Sequence, residues 1–149
     1  FARSNSANIA YDFFYKLKKI KDDVYFERHP ENIIKSMTEI TEGIIILVSN
    51  SGSSTELYDL AKYIKKNSCL KIILITNTKS GKIAKYSDYI VEGVPLEIDS
   101  VMKQHLPFSS KYSLMYCLDM IFINYFNLDY LNNLNKIKSL QIIGNKKSY

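Results

Sequence analysis

Unbroken runs of branched apolar residues alternate along this chain with helical hydrophobic patterns. Residues 44–48 and 72–75 are apolar runs without polar alternation, which is typical of strands covered on both faces in a parallel sheet. Between them, the apolar positions of residues 57–64 recur at the spacing of one helical face. The pattern therefore predicts strand–helix–strand units with right-handed crossovers.

The same alternation continues on both sides of this central unit. Before it, the pattern predicts an amphipathic helix over residues 6–20, a short β-prone run at 24–26 and a second helix over 31–41. After it come a short helix at 80–86 and a last strand at 89–91. This order predicts an α/β fold: a three-layer α/β/α sandwich around an open, parallel, flavodoxin-like (doubly wound) sheet.

An almost entirely apolar helix is predicted after a long loop at residues 93–107. Because residues 108–126 carry apolar side chains on nearly every face, this helix requires burial deep in one core or partly in a subunit interface. Asp119 within it is expected to be a buried carboxylate with a structural hydrogen bond. We expect one domain over residues 1–126 and a helical or flexible tail over 127–149.

Composition indicates a soluble globular protein. The chain has 149 residues, of which 46% are hydrophobic and 23% charged, so one compact core is the expected solution. No apolar stretch reaches the roughly 20 residues that cross a bilayer, and no signal-peptide pattern opens the sequence. We therefore expect a cytoplasmic protein without a membrane partner.

Charge and cysteine content add little chemistry. The formal net charge is +5, but residues 136–149 hold four lysines and no acid, which leaves the rest of the chain nearly neutral. This distribution favours a solvated tail over a nucleic-acid surface. Cys69 and Cys117 lack metal-ligand spacing, so we expect two buried free thiols and no metal site. The abrupt start on a strand-like end also suggests a preceding segment.

A cluster of hydroxyl side chains follows the first central strand. Residues 49–56 read SNSGSSTE and lie where a parallel strand ends and the next helix begins, the position at which open α/β sheets bind ligands. Backbone N–H groups and the helix dipole attract an anion there, and Gly52 permits close backbone approach. The absence of a lysine after the glycine excludes a Walker phosphate loop.

Part of this hydroxyl content has a structural explanation. Ser53 and Glu56 have the spacing of a capping box, which would satisfy the helix start without any ligand. Ser49, Ser51 and Ser54 exceed that need. The residues alone leave helix capping and phosphate binding about equally supported.

The segment at 49–56 resembles the S-x-S-G-x-T-x-E signature of the sugar isomerase (SIS) domain, with Ser54 where threonine is usual. Residues 3–10 are similar to the first loop of that family, with Ala2 in place of the usual glycine and Ser4 at the serine position. Further segments at 74–77, 83–90 and 109–111 resemble later parts of the domain. The resemblance extends to about residue 126.

This resemblance implies a phosphosugar-binding domain, most similar to the C-terminal domain of RpiR-type transcription regulators. In that family a helix-turn-helix domain precedes the SIS domain, so DNA would be a partner only through a segment before residue 1. We expect a homo-oligomer, dimer or tetramer, and no cofactor. The implied phosphosugar-binding residues are Ser4, Ser49, Asn50, Ser51, Gly52, Ser54, Ser110 and Lys111, the last standing where arginine is usual.

A phosphosugar isomerase on the same fold is the alternative function. It would need a general base near the sugar, for which the candidates are His105, Glu97 and His29. No serine–histidine–aspartate ordering or paired-carboxylate spacing identifies a catalytic residue, so we predict none and prefer a phosphosugar sensor. A purely structural dimerisation domain would leave the surplus hydroxyls unexplained.

Overall fold

The protein forms an open parallel sheet between two layers of helices. The structure is a computed structural model that describes residues 1–37, 39–40, 42–94, 101 and 108–145. In this part of the chain, three strands pair in the order β1-β2-β3. The elements are α1 (Ser4–Lys18), α2 (Pro30–Ser36), β1 (Ile44–Val48), α3 (Thr55–Asn67), β2 (Lys71–Thr76), a 3-10 helix (Lys82–Tyr86), β3 (Tyr89–Glu92), α4 (Ser109–Leu128) and α5 (Tyr130–Asn145).

The two central strands are buried on both faces, as their unbroken apolar sequences predict. In the parallel register Ile45 lies beside Ile72 and Leu47 beside Leu74, and these side chains face the layer that contains α3. The alternate residues, such as Val48, face the opposite layer. Each fully buried aliphatic side chain contributes on the order of 1.5–3 kcal/mol.

One helical layer contains α1 and α4, and the other contains α2, α3 and the 3-10 helix. Phe13 of α1 packs with Leu114 and Leu118 of α4 against one face of the sheet. Leu57 and Ile64 of α3 pack against the other face, together with Ile83. The predicted three-layer α/β/α sandwich is therefore confirmed.

The first two residues lie alongside β1 in parallel. Val48 N–H donates to the Phe1 carbonyl at 3.0 Å, and the Phe1 nitrogen donates to the Ile46 carbonyl at 2.7 Å. Ala2 forms an isolated parallel bridge with Val48. This pairing brings the start of α1 to the same edge of the sheet as the segment after β1.

Two predicted elements differ from the structure. Residues 24–26 do not form a strand, and just after them the Glu27 carbonyl accepts from the Ala2 N–H at 3.4 Å. The helix expected over residues 31–41 spans only Pro30–Ser36. Pro30 is the first residue of this helix, a position at which the backbone N–H has no acceptor within the helix, so its absence in proline costs no hydrogen bond.

The burial expected for two residues is wrong. The Asp119 side chain is 40% exposed, but the expected structural hydrogen bond is present, because Asp119 accepts from Lys16 Nζ at 2.5 Å in an ion pair between α4 and α1. Cys69 is exposed, because it lies in the turn between α3 and β2, whereas Cys117 is buried. Burial raises the pKa of the Cys117 thiol.

The C-terminal part of the described chain is helical. α5 begins two residues after α4 ends and covers much of the segment expected to be a helical or flexible tail. The division into a domain at 1–126 and a tail at 127–149 stays a prediction. Among the described helices, none combines the length and apolar character needed to cross a membrane.

Candidate functional site

Residues 49–54, here called the hydroxyl loop, connect the end of β1 to the start of α3. Ser49 continues the parallel ladder, because its N–H donates to the Ile75 carbonyl at 3.0 Å, and only 6% of the residue is exposed. Ser51 and Ser53 are exposed to solvent. The loop thus begins as buried strand backbone and becomes accessible within two residues.

Gly52 allows the hydroxyl loop to turn sharply. Its φ of 61° lies in the left-handed region, and an added Cβ would lie 2.8 Å from the Thr78 carbonyl oxygen. The turn is closed by Ser53 N–H, which donates to Ser51 Oγ at 3.2 Å. The glycine predicted to permit close backbone approach is therefore required by the backbone conformation itself.

The start of α3 lacks the cap that the sequence predicts. Ser54 is the N-cap residue, its side chain makes no capping hydrogen bond, and Glu56 instead forms an ion pair with Arg3. The prediction of a capping box formed by Ser53 and Glu56 is therefore wrong, because Glu56 pairs with Arg3, which is distant in sequence. Among the described residues, no side chain accepts from the first-turn N–H groups of α3, which is the arrangement that binds anions at helix N-termini.

A second turn with unusual backbone geometry lies beside the hydroxyl loop. Ser4, the first residue of α1, is exposed and has a φ of 50°, which a non-glycine residue rarely adopts. The ion pair between Arg3 and Glu56 joins this turn to the first turn of α3. Backbone strain of this kind costs on the order of 1–3 kcal/mol and is found most often at functional sites.

Asn77, at the end of β2, links three segments at this edge of the sheet. Its Nδ2 donates to Asn50 Oδ1 and to the Ser110 carbonyl, both at 2.8 Å, and its N–H donates to the Asn50 carbonyl at 3.0 Å. Its Oδ1 is buried without a hydrogen-bond partner among the described residues. Asn77 had no predicted role, although a polar residue directly after a buried strand marks the ligand-binding edge of such sheets.

The first turn of α4 contributes less accessible groups. Ser110 is 1% exposed, and its carbonyl accepts a hydrogen bond from Asn77 Nδ2. Lys111 is exposed, and its Nζ lies 4.9 Å from the centre of the Tyr112 ring. The structure thus brings Ser4, the hydroxyl loop and the Ser110 backbone together, whereas in the described part of the chain Lys111 does not contact the loop.

Of the candidate general bases, His29 is the one that lies within the described residues. Glu97 and His105 lie outside the described residues. His29 has its Nδ1 3.6 Å from Glu31 Oε1, and its side chain is 65% exposed. Within the described ranges, no group of three or more histidine, cysteine, aspartate or glutamate residues is placed to hold a metal ion.

Comparison with known proteins agrees with this geometry. The model of the SIS domain family matches residues 1–124. A search of curated proteins finds no match.

Several solved structures share the fold. The Vibrio vulnificus NanR protein complexed with ManNAc-6P is similar with a TM-score of 0.82 and 13% identity, over 99% of this chain and 56% of that one. The sugar isomerase domain of an RpiR transcription factor from Sphaerobacter thermophilus has a TM-score of 0.73 and 10% identity, over 94% and 75%. For a Methanococcus jannaschii protein, the function of a 3-hexulose-6-phosphate isomerase was inferred from its structure. It has a TM-score of 0.60 and 22% identity, over 91% of this chain and 75% of that one.

Proposed function

Because the chain belongs to the SIS domain family, we propose that it binds a phosphorylated sugar at the hydroxyl loop and is the effector domain of an RpiR-type transcription regulator. The observation that carries this proposal is the uncapped start of α3. Ser54 makes no capping bond there, so its hydroxyl and the first-turn N–H groups are available to a phosphate.

The positions of the residues in and beside the hydroxyl loop fit roles in binding. Ser51 and Ser54 would donate to phosphate oxygens, and Ser4 would approach from the adjacent strained turn. Asn50, held by Asn77, would contact the phosphate or a sugar hydroxyl. Ser49 and Gly52 shape the loop through their backbone, and Ser110 and Lys111 would close the site from α4.

Two similar structures support the regulator role. NanR is complexed with ManNAc-6P, and the Sphaerobacter thermophilus domain comes from an RpiR transcription factor. The chain spans only 56% of the NanR length, so contact with DNA would belong to a part of the protein that this sequence does not include. A ligand that binds two arrangements of the protein unequally would shift their populations, and a DNA-binding part would respond to that shift.

A titration with matched variants tests the phosphate site. The test panel contains hexose, amino-sugar and N-acetylated sugar phosphates, including ManNAc-6P. We expect sugar phosphates from this panel to raise the melting temperature, because a ligand that binds only the folded protein adds RT ln(1 + [L]/Kd) to the free energy of unfolding. Ser54→Ala should raise Kd by about tenfold or more, because it removes one hydrogen bond to a charged group.

Ser53→Ala is the matched control, since this neighbouring hydroxyl is exposed and is not assigned to the site. It should bind as the parent does. If no member of the panel stabilises the protein, or if both variants bind equally well, phosphate binding at this loop is wrong.

An isomerase is the second candidate, supported by the Methanococcus jannaschii structure and its inferred function. Incubating the protein with each stabilising sugar phosphate and recording NMR spectra separates the two functions. Recovery of the unchanged ligand supports a sensor, whereas conversion between aldose and ketose phosphates supports the enzyme.

A homo-oligomer is part of this proposal. α4 was expected to be buried deep in the core or partly in a subunit interface, and the structure buries Leu114 and Leu118 while leaving other apolar residues of the helix exposed. A line of them follows one face: Tyr112, Tyr116, Met120 and Ile123. Such a line is typical of a surface that a second subunit covers.

A further inference from the structure

Lys82, which neither the signature nor the site assignment includes, lies against the first turn of α3. Its Nζ is 3.1 Å from Thr55 Oγ1 and 5.0 Å from the centre of the Tyr58 ring. Thr55 directly follows the N-cap residue Ser54. The ammonium group therefore lies beside the uncapped helix start to which we assign the phosphate.

The backbone on both sides of Lys82 is fixed to the hydroxyl loop. Ile83 N–H donates to the Gly52 carbonyl at 3.0 Å. Gly81 packs so closely on Gly52 that an added Cβ at position 81 would lie 2.4 Å from the Gly52 oxygen. Because both neighbours of Lys82 contact Gly52, the position of this lysine relative to the loop is determined by the fold.

Lys82 carries a positive charge that no described acidic residue neutralises. Within the described residues, Lys82 forms no ion pair, whereas Arg3, the other cation recorded in contact with the first turn of α3, is paired with Glu56. An ammonium group has three N–H donors, and Thr55 accepts from one of them. Lys82 therefore presents an unpaired positive charge and further donors next to a loop whose other groups are neutral.

We propose that Lys82 makes an ionic contact to the phosphate held by the hydroxyl loop and thereby determines selectivity for phosphorylated over unphosphorylated sugars. This inference rests on the proposed function and adds a residue to it. Hydroxyl and N–H donors also bind neutral oxygens, whereas an ammonium group favours a dianion through charge and through stronger hydrogen bonds.

Calorimetric titration of Lys82 variants with a stabilising sugar phosphate tests this contact. Lys82→Ala should raise Kd about tenfold, the effect of losing one charge-assisted hydrogen bond. Lys82→Arg should restore most of the affinity because it keeps the charge. The affinity of the parent should also fall more steeply with added salt than that of Lys82→Ala, since salt screens the lost interaction.

Lys85→Ala is the matched control, because Lys85 lies in the same 3-10 helix, is exposed and has its Nζ 5.9 Å from the centre of the Tyr86 ring. It should leave Kd and its salt dependence unchanged. If the parent binds the sugar phosphate but Lys82→Ala and Lys85→Ala bind as tightly as the parent does, the role of Lys82 is wrong while the phosphate site stands. If the parent binds no sugar phosphate, the site itself is wrong and the role of Lys82 is wrong with it.

Discussion

Asp88 joins three segments through one carboxylate. It accepts from Lys65 Nζ at 2.6 Å and from the N–H of Ile72 at 2.9 Å, and its side chain is only 15% exposed. The hydrogen bond from Lys65 and then that from the Ile72 backbone lower the pKa of this carboxyl group. Asp88 thus holds the turn before β3 against the end of α3 and the start of β2.

A carboxyl group whose pKa is lower in the folded than in the unfolded protein stabilises the fold only while it is ionised. The contribution of Asp88 is complete above the ordinary pKa of about 4 and is lost as the pH falls through the lower folded pKa. Asp88→Asn should reduce the free energy of unfolding at neutral pH by about 1–2 kcal/mol. It should also make the free energy of unfolding less dependent on pH below about 4.

Urea denaturation at a series of pH values measures both effects. Asp59→Asn is the control, because Asp59 is an exposed carboxylate of α3 with no recorded ion pair in the described structure. Equal pH profiles for the two variants would contradict the role assigned to Asp88.

At the scale of single residues, sequence patterns identified the backbone requirement at Gly52 but not the partners of charged side chains. Glu56 was expected to cap its own helix, and it pairs instead with Arg3. Asp119 was expected to be buried, and it pairs with Lys16 at the surface. Both partners are distant in sequence and are brought near by the packing of separate elements, which local spacing does not encode.

At the scale of elements, the prediction was most accurate where burial is complete. β1 and β2 are both covered on two faces, so their unbroken apolar runs identified them nearly to the residue. The run at 24–26 has a similar β propensity but is not a strand. Strand formation depends on a pairing partner, and propensity alone does not supply one.

Asn77 connects β2, the hydroxyl loop and α4 through its side-chain amide. Asn77→Ala should lower the free energy of unfolding by about 2–3 kcal/mol, because it leaves the buried Ser110 carbonyl and Asn50 Oδ1 without this donor. Chemical denaturation measures the change.

Asn67→Ala provides the comparison, since Asn67 donates to the Tyr63 carbonyl at the exposed end of α3. It should cost less than about 1 kcal/mol. A loss at Asn77 no larger than that at Asn67 would show that the three segments hold together without this side chain.

At the scale of the whole molecule, the layered architecture follows from sequence but the outer surface of α4 does not. The apolar pattern of a helix is the same whether the core of its own subunit or a second subunit buries its side chains. The structure separates the two cases, since Leu114 is 1% exposed and Tyr116 is 66% exposed. Tyr116, Met120 and Val91 also line a shallow, largely apolar groove of about 420 Å³.

Replacing Tyr116 by lysine should therefore weaken self-association. We expect the parent protein to be a dimer or tetramer and Tyr116→Lys to shift toward the monomer, because a buried unpaired charge opposes association. Sedimentation velocity over a range of protein concentrations measures the shift. Tyr63→Lys is the control, since Tyr63 is a partly exposed tyrosine of α3, in the other helical layer. A monomeric parent would contradict the assignment of this surface.

The contact between Gly52 and Gly81 also limits how this site can evolve. A side chain at either glycine would displace the hydroxyl loop, so both positions tolerate little variation. Lys82 follows directly, yet its side chain is exposed and its identity does not alter that backbone contact. Charge beside the helix start can therefore change by single substitutions without disturbing the loop, so ligand preference can diverge among proteins that keep the same loop geometry.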